Sequence, residues 1–335
     1  MTSKIVVNNI ESDSGIGSVT FTSDIELGTK NLKGHNLEST GIVTATSFSG
    51  SGASLTSLPA GNLTGTLPAI DGSNLTGVGA SFGNSSVNTS GIITATAFVS
   101  SQGQLSHRNI IINGAMTLAQ RGSSSTSDGF HTVDRFAKDE SGTDESLTQA
   151  QVDVASGTTP YTLGFRKAFK LTNGNQTEVN AADAIQVQTS LEAQDVANSG
   201  WNYTSSSSFV TLSFWIKSSV AQNFYFYLRT NDGTGQRYTF ETGSLSADTW
   251  TKITKTIPGN SNIQFDNDNG NGLQIFFVAF YGTDFTDSGV TLNQWATYAS
   301  GTRMPDYTST WYTTNNATLE FTGIQLEVGS QATAF

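Results

Sequence analysis

From Glu38 to Leu105 the chain carries only two charged residues, Glu38 and Asp71, in 68 positions, and its large apolar side chains are few and isolated. A segment like this cannot build a private globular core, because it cannot bury enough apolar area to offset its chain entropy. It is also repetitive. Gly41-Ile-Val-Thr-Ala-Thr-Ser-Phe48 returns fifty residues later as Gly91-Ile-Ile-Thr-Ala-Thr-Ala-Phe98. Between the copies, Gly61-Asn-Leu-Thr-Gly65 recurs as Ser73-Asn-Leu-Thr-Gly77, and Leu-Pro-Ala occurs at 58–60 and 67–69. The spacing suggests short strands and tight turns repeated along an axis. Two readings remain: a Gly/Ser/Thr linker, or a fibrous element whose isolated apolar residues meet their copies from other chains. Aligned repeats of β-branched residues favour the fibre, and a fibre implies an oligomer.

After about residue 106 the composition changes: all five Trp, all nine Tyr and most of the Phe lie beyond it. Phe209 to Lys217 alternates, with Val210, Leu212, Phe214 and Ile216 on one face and Thr211, Ser213, Trp215 and Lys217 on the other. Asn223 to Arg229 does the same, setting Phe224, Phe226 and Leu228 against Tyr225, Tyr227 and Arg229. Further strands are expected at 237–242, 249–257, 273–281 and 317–328, parted by turn signals such as Asn231-Asp-Gly-Thr-Gly235. Helical patterns are nearly absent. The fold class is therefore all-β: a fibrous repeat shaft followed by a two-sheet sandwich, most simply a jelly roll, in a homotrimer. The organisation read from the chain is 1–37, an N-terminal segment with too little apolar content for its own core; 38–105, the shaft; and 106–335, the head.

With 335 residues, 16 Lys+Arg against 27 Asp+Glu and a net charge of −11, the chain has no basic footprint for nucleic acid or an anionic membrane. Its longest apolar run, Ile275 to Tyr281, is too short for membrane insertion, and Met1 to Gly15 has no apolar core of signal-peptide length, so a soluble chain made in a cytoplasm is expected. Zero Cys removes disulfides, thiolate metal sites and cysteine nucleophiles; three His, at 35, 107 and 131, cannot make a His-rich metal site.

The stretch His107-Arg-Asn-Ile-Ile-Ile-Asn-Gly-Ala-Met116, with Ala119-Gln-Arg-Gly122, Asp134-Arg-Phe136 and the ending Phe321-Thr-Gly-Ile-Gln-Leu-Glu-Val-Gly-Ser330, resembles the C-terminal domain of bacteriophage tail fibres. The repeats, with Gly72-Ser-Asn-Leu-Thr-Gly-Val-Gly79, resemble shafts of marine cyanophage structural proteins. The resemblance implies a virion tail protein synthesised in the host cytoplasm, docked through its N-terminus to other tail proteins. Leu212 to Ser218, Asp248 to Thr254 and Leu319 to Glu327 also resemble strands of carbohydrate-binding jelly-roll modules. That similarity implies a head that binds host surface polysaccharide.

Sugar recognition needs flat aromatic faces flanked by hydrogen-bonding groups. Trp215, Tyr225, Tyr227 and Arg229 fit in kind, although they fit equally a second sheet face covered by another strand or subunit. The aromatic stretch 294–312 suggests exposed loops bearing Trp295, Trp311 and Tyr312, or anchors for the loop; Trp201 and Tyr203 carry the same ambiguity. Asp266 and Asp268, in Asp266-Asn-Asp-Asn-Gly-Asn-Gly272, are candidate ligands for Ca2+, but lack the distant bidentate Glu of an EF-hand and read more simply as a turn, so no cofactor is required. Catalytic motifs are missing, and the pairs Asp139–Glu140 and Asp144–Glu145 read as solvated charge, so the chain is expected not to be an enzyme. Two rivals stand beside the adhesin: a ligand-free structural decoration or tail-assembly component, and a depolymerase.

Overall fold

In a computed structural model of the protein, residues 39–44, 46–47 and 109–335 are described. The chain divides into two units, residues 1–88 and 89–335. In the first unit the described residues lie just before and within the first repeat copy; they show bends at Thr40, Gly41 and Thr46, no strand, and are exposed, Ile42 to 95%. The second repeat copy, the attachment segment 1–37 and the boundary at 105–106 lie outside the described residues.

In chain order the described strands of the second unit are β1 (Ser124–Ser125), β2 (Ala137–Ser141), β3 (Thr148–Asp153), β4 (Lys167–Thr172), β5 (Ala184–Glu192), β6 (Phe209–Ser218), β7 (Asn223–Thr230), β8 (Gln236–Ser244), β9 (Thr251–Pro258), β10 (Asn271–Tyr281), β11 (Trp295–Thr297) and β12 (Thr318–Val328). Two helical turns, α1 (Thr159–Thr162) and α2 (Ala193–Ala197), complete the set. All six strands expected from alternation are present, as β6 to β10 and β12, each within two residues of the expected bounds. The twelve strands form two six-stranded antiparallel sheets, ordered β1-β3-β4-β12-β6-β9 and β11-β8-β7-β10-β5-β2, stacked as a jelly-roll-like sandwich.

Alternation decides what lies between the sheets. Phe214 and Phe321 from the first sheet meet Phe226 and Phe277 from the second, with ring centroids 5.0 to 6.0 Å apart. Leu212, Ile216, Leu228 and Ile275 extend this core, all fully buried. Burying each such side chain contributes roughly 1.5–3 kcal/mol.

The two ends of the sandwich-forming stretch meet. Ile110 N–H donates to the Leu326 carbonyl at 2.9 Å, Asn109 Oδ1 accepts the Leu326 N–H at 3.0 Å, and Ile324 N–H donates to the Gly114 carbonyl at 3.0 Å. Asn109 to Met116 thus runs along β12 where its ladder with β6 slips between Thr322 and Gln325. The opening and closing motifs are one structural feature.

Candidate functional site

The outward face of the second sheet follows from the strands that build it. In β5, Ile185, Val187 and Leu191 point into the core, leaving Gln186, Gln188, Ser190 and Glu192 half-buried on the outer face. Register places these beside the outward residues of the neighbouring strands. Arg237 of β8 pairs with Arg229 of β7, Arg229 with Gln274 of β10, and Gln274 with Ser190 of β5, a polar rung across four strands. At about 4.8 Å per strand the rung is roughly 14 Å long. The next rung runs Thr239, Tyr227, Phe276, Gln188.

Over the β5–β10 part of these rungs lies an open groove of about 300 Å³, lined by Phe130, Arg135, Gln188, Ser190, Asn269 and Gln274 among others. Phe130, which lines this groove, is 44% exposed. A second hollow of about 380 Å³ shares Phe130 and Arg135 and continues past Gln120 and Arg121. Side-chain amides donate and accept through one planar group, which suits vicinal hydroxyls, while an aromatic ring suits the C–H face of a pyranose.

The rest of this face is roofed by the segment after β10. Tyr227 stacks on Phe276 with centroids 4.5 Å apart and planes 7° from parallel, and its hydroxyl lies 3.3 Å from that of Tyr281. The Tyr281 hydroxyl also bonds Gln186 Oε1 and accepts from Arg303 Nη1 at 3.2 Å. Tyr307 donates to the Val278 carbonyl at 2.7 Å, accepts the Tyr225 N–H at 2.8 Å, and meets the Tyr225 ring edge-on at 5.5 Å. Burial holds the phenols of Tyr227, Tyr281 and Tyr307 above the usual tyrosine range.

The structure separates the residues the sequence grouped together. Trp215 does lie opposite the core residues of β6, and Tyr225, Tyr227 and Arg229 opposite those of β7, but β6 and β7 belong to different sheets, so the two sets face away from each other. The reason is topological: residues 219–222 carry the chain from one sheet to the other rather than closing a hairpin. Tyr227, 1% exposed, is no stacking platform because Phe276 already occupies its face. Arg229 stays half-exposed. Trp215 borders a different hollow of about 350 Å³ with Leu163, Phe165, Lys252, Gln325 and Phe335. There the C-terminal residues fold back, Thr333 N–H donating to Glu327 at 2.9 Å and the Phe335 ring meeting Phe165 at 5.0 Å.

The aromatic loop residues are anchors. Trp311 and Tyr312 are fully buried, and the exposed-loop expectation fails for both. Trp311 Nε1 donates to the Thr318 carbonyl at 3.1 Å; Tyr312 stacks on Phe280 at 4.3 Å and donates to Asp183 at 2.8 Å, which with burial pushes its phenol up strongly. Trp295, half-buried, packs on Tyr238 and donates to the Pro258 carbonyl at 2.6 Å. Trp201 is buried against Tyr203 and Phe265.

Asp266 and Asp268 are engaged within turns: Asp266 accepts from Gln264 at 3.0 Å, and Asp268 closes on Gly270 N–H at 3.0 Å. Among the described residues no three His, Asp or Glu gather as a metal site. Of the acidic pairs, Asp144 and Glu145 are exposed, as expected of solvated charge, while Asp139 and Glu140 are half-buried, and each carboxylate also has a protein partner. Glu140 pairs with buried Lys138 at 2.9 Å, Asp139 accepts from Gln186 at 3.0 Å, and Glu145 accepts the Asn175 N–H at 2.6 Å. Asp144 accepts from the Thr177 and Glu178 backbones, which holds its carboxyl below the usual range.

Sequence reading missed Phe130, Arg135, Gln188, Ser190, Gln274, Arg237 and Arg303. For three of them the signal is present: Ala184-Ile-Gln-Val-Gln-Thr-Ser-Leu-Glu192 alternates as cleanly as β6, and Gln274 lies two residues before Phe276 on one face of β10. Phe130, Arg135 and Arg303 sit in irregular segments where no period exists to read.

No family model matches the chain, and no curated protein is similar to it. Solved structures show a distant likeness. The enzymatically active domain of tailspike protein 4 from bacteriophage CBA120 is 11% identical at a TM-score of 0.34, over 66% of this chain and only 21% of that one. A family 11 carbohydrate-binding module from Clostridium thermocellum is 14% identical at 0.29, over 62% and 96%. The N-terminal cellulose-binding domain of Cellulomonas fimi beta-1,4-glucanase C is 12% identical at 0.30, over 64% and 99%. At such scores the likeness says nothing of what this chain binds.

Proposed function

We propose that this chain is a phage tail fibre protein whose C-terminal sandwich binds host surface polysaccharide through the outer face of its second sheet. The observation that carries the reading is the open groove in which planar amides Gln188 and Gln274, with Ser190 and Arg135, face solvent beside the exposed Phe130 ring. The tail-fibre identity is supported by the low-charge repeats of residues 38–105 and by the opening and closing motifs, which the fold joins along β12. Adhesion asks for no chemistry on the glycan, and the reading assigns none. The fibre is a homotrimer held at its N-terminus by other tail proteins of the virion. Three heads per fibre turn individually weak contacts into firm adsorption through effective concentration.

The test is a glycan array of bacterial surface polysaccharides probed with the full chain and with Gln188→Ala/Gln274→Ala. Binding by the parent that the double variant loses supports the reading; an array silent to a folded parent overturns it. One observation favours a second reading, a ligand-free tail component: Tyr227, Trp311 and Tyr312, aromatics expected to stack on sugar, are buried in packing.

A further inference from the structure

Three arginines converge on one region of the same face, and none forms an ion pair among the described residues. Arg229 and Arg237 stand directly opposite each other on β7 and β8, a placement in which like charges repel. Arg303 reaches the region from the roofing segment, held by its carbonyl, which accepts from Thr239 Oγ1 at 2.6 Å. The Arg229 and Arg303 guanidiniums both lie over the Tyr298 ring, at 3.9 and 5.9 Å, and Arg303 also over Phe285 at 4.5 Å.

Their hydrogen bonding is sparse. Arg237, 6% exposed, gives one bond, Nη1 to Thr239 Oγ1 at 3.3 Å. Arg303 gives one from its side chain, to Tyr281. Arg229 gives none from its guanidinium to a described residue, and the Nε atoms of all three are buried without a partner. Buried charge normally finds a counter-charge, and this chain has 27 acidic residues against 16 basic ones to supply it. The five ion pairs among the described residues go instead to Arg121, Lys138, Lys167 and Lys217. Aromatic stacking fixes the planes of Arg229 and Arg303 while leaving most of their donors unused.

Resting on the reading above, we propose that the polysaccharide bound at this face is acidic, and that Arg229, backed by Arg237 and Arg303, receives an oxyanion of it, a uronate carboxylate or a sulfate ester. The site adjoins the groove, because Gln274, which lines the groove, is the cross-strand neighbour of Arg229. A planar guanidinium with free donors matches a carboxylate or sulfate in geometry as well as charge. The acid in the groove, Glu192, lies two residues beyond Ser190 of the arginine rung; its carboxylate accepts from Gln194 Nε2 at 2.7 Å and forms no ion pair with the arginines.

The full chain is titrated with polygalacturonate, dextran sulfate and neutral dextran at low and high salt, beside Arg229→Gln and Arg303→Gln. A protein of net charge −11 repels polyanions in general, so preference for either acidic polymer marks a local site. The expected result is binding of one acidic polymer above dextran, weakened by salt and lowered about tenfold by Arg229→Gln with melting unchanged. Preference for polygalacturonate alone assigns a carboxylate, and for dextran sulfate alone a sulfate. Should Arg229→Gln misfold, Arg303→Gln, on the roofing segment, carries the same expectation. Acidic polymers bound no better than dextran, or bound equally by both variants, overturn the proposal. Neutral hits on the glycan array would then leave the glycan-binding reading standing by itself.

Discussion

Phe214 of β6 and Phe277 of β10 meet edge to face between the two sheets, with centroids 5.2 Å apart and planes at 87°. The contact joins the strand that presents Trp215 on one outer face to the strand that presents Gln274 on the other. It is the packing on which both faces depend. Phe277→Ala is expected to cost about 3–5 kcal/mol, read as a lowered urea midpoint with an unchanged slope. A loss under about 1 kcal/mol would mean that the sheets are held elsewhere.

Lys138 points inward from β2, its side chain fully buried, with Glu140 at 2.9 Å and Asp128 at 3.0 Å, and it donates to the Thr126 and Leu147 carbonyls. Removing one partner strands the other. Lys138→Met is expected to destabilise by about 3–5 kcal/mol, and adding Glu140→Gln to recover part of that by neutralising the stranded carboxylate. A double variant no more stable than the single one would place the cost in the lost carbonyl bonds instead.

Alkali should unfold the sandwich earlier than its acidic composition suggests. Tyr227, Tyr238, Tyr281, Tyr307 and Tyr312 all hold their protons above the ordinary tyrosine value of 10.0, chiefly through burial. The fold therefore favours the neutral phenol: this stability is complete below pH 10.0 and is lost as pH rises through the raised values. A spectrophotometric titration should show these five ionising late and together with the loss of near-ultraviolet dichroism. Ionisation of all tyrosines near pH 10 with the fold intact would contradict it.

Gly114 lies where any Cβ would collide with the Ile324 carbonyl of β12. Gly114→Ala is expected to push Asn109 to Met116 off β12, costing about 1–3 kcal/mol, with faster exchange at the Ile110 and Ile324 amides. Unchanged exchange at both would show that the segment is held by other contacts.

How much the sequence discloses depends on where a period exists. In β6 and β7 a clean period of two gives both strand and face, because each residue's side is set by its neighbour's. Which sheet each strand joins is not local information: Trp215 and Tyr225 are ten residues apart yet look out from opposite sides of the sandwich. Burial of outward aromatics escapes the sequence for a related reason. Trp311 and Tyr312 sit in a segment without alternation, and only the tertiary fold brings Phe280, Gln222 and Asp183 to meet them. The groove was half legible, its Gln188 and Ser190 in an alternating strand and its Phe130 and Arg135 in loops that only the fold places.

The central claim is that the outer face of the second sheet, not that of the first, binds polysaccharide. Its most direct test compares retention of the full chain, Gln188→Ala/Gln274→Ala and Trp215→Ala on extracted bacterial surface polysaccharides. The account predicts that the β5–β10 double variant loses retention by about tenfold or more while Trp215→Ala keeps it. Retention lost with Trp215→Ala and kept by the double variant would contradict the account and move the site to the hollow beside Phe335.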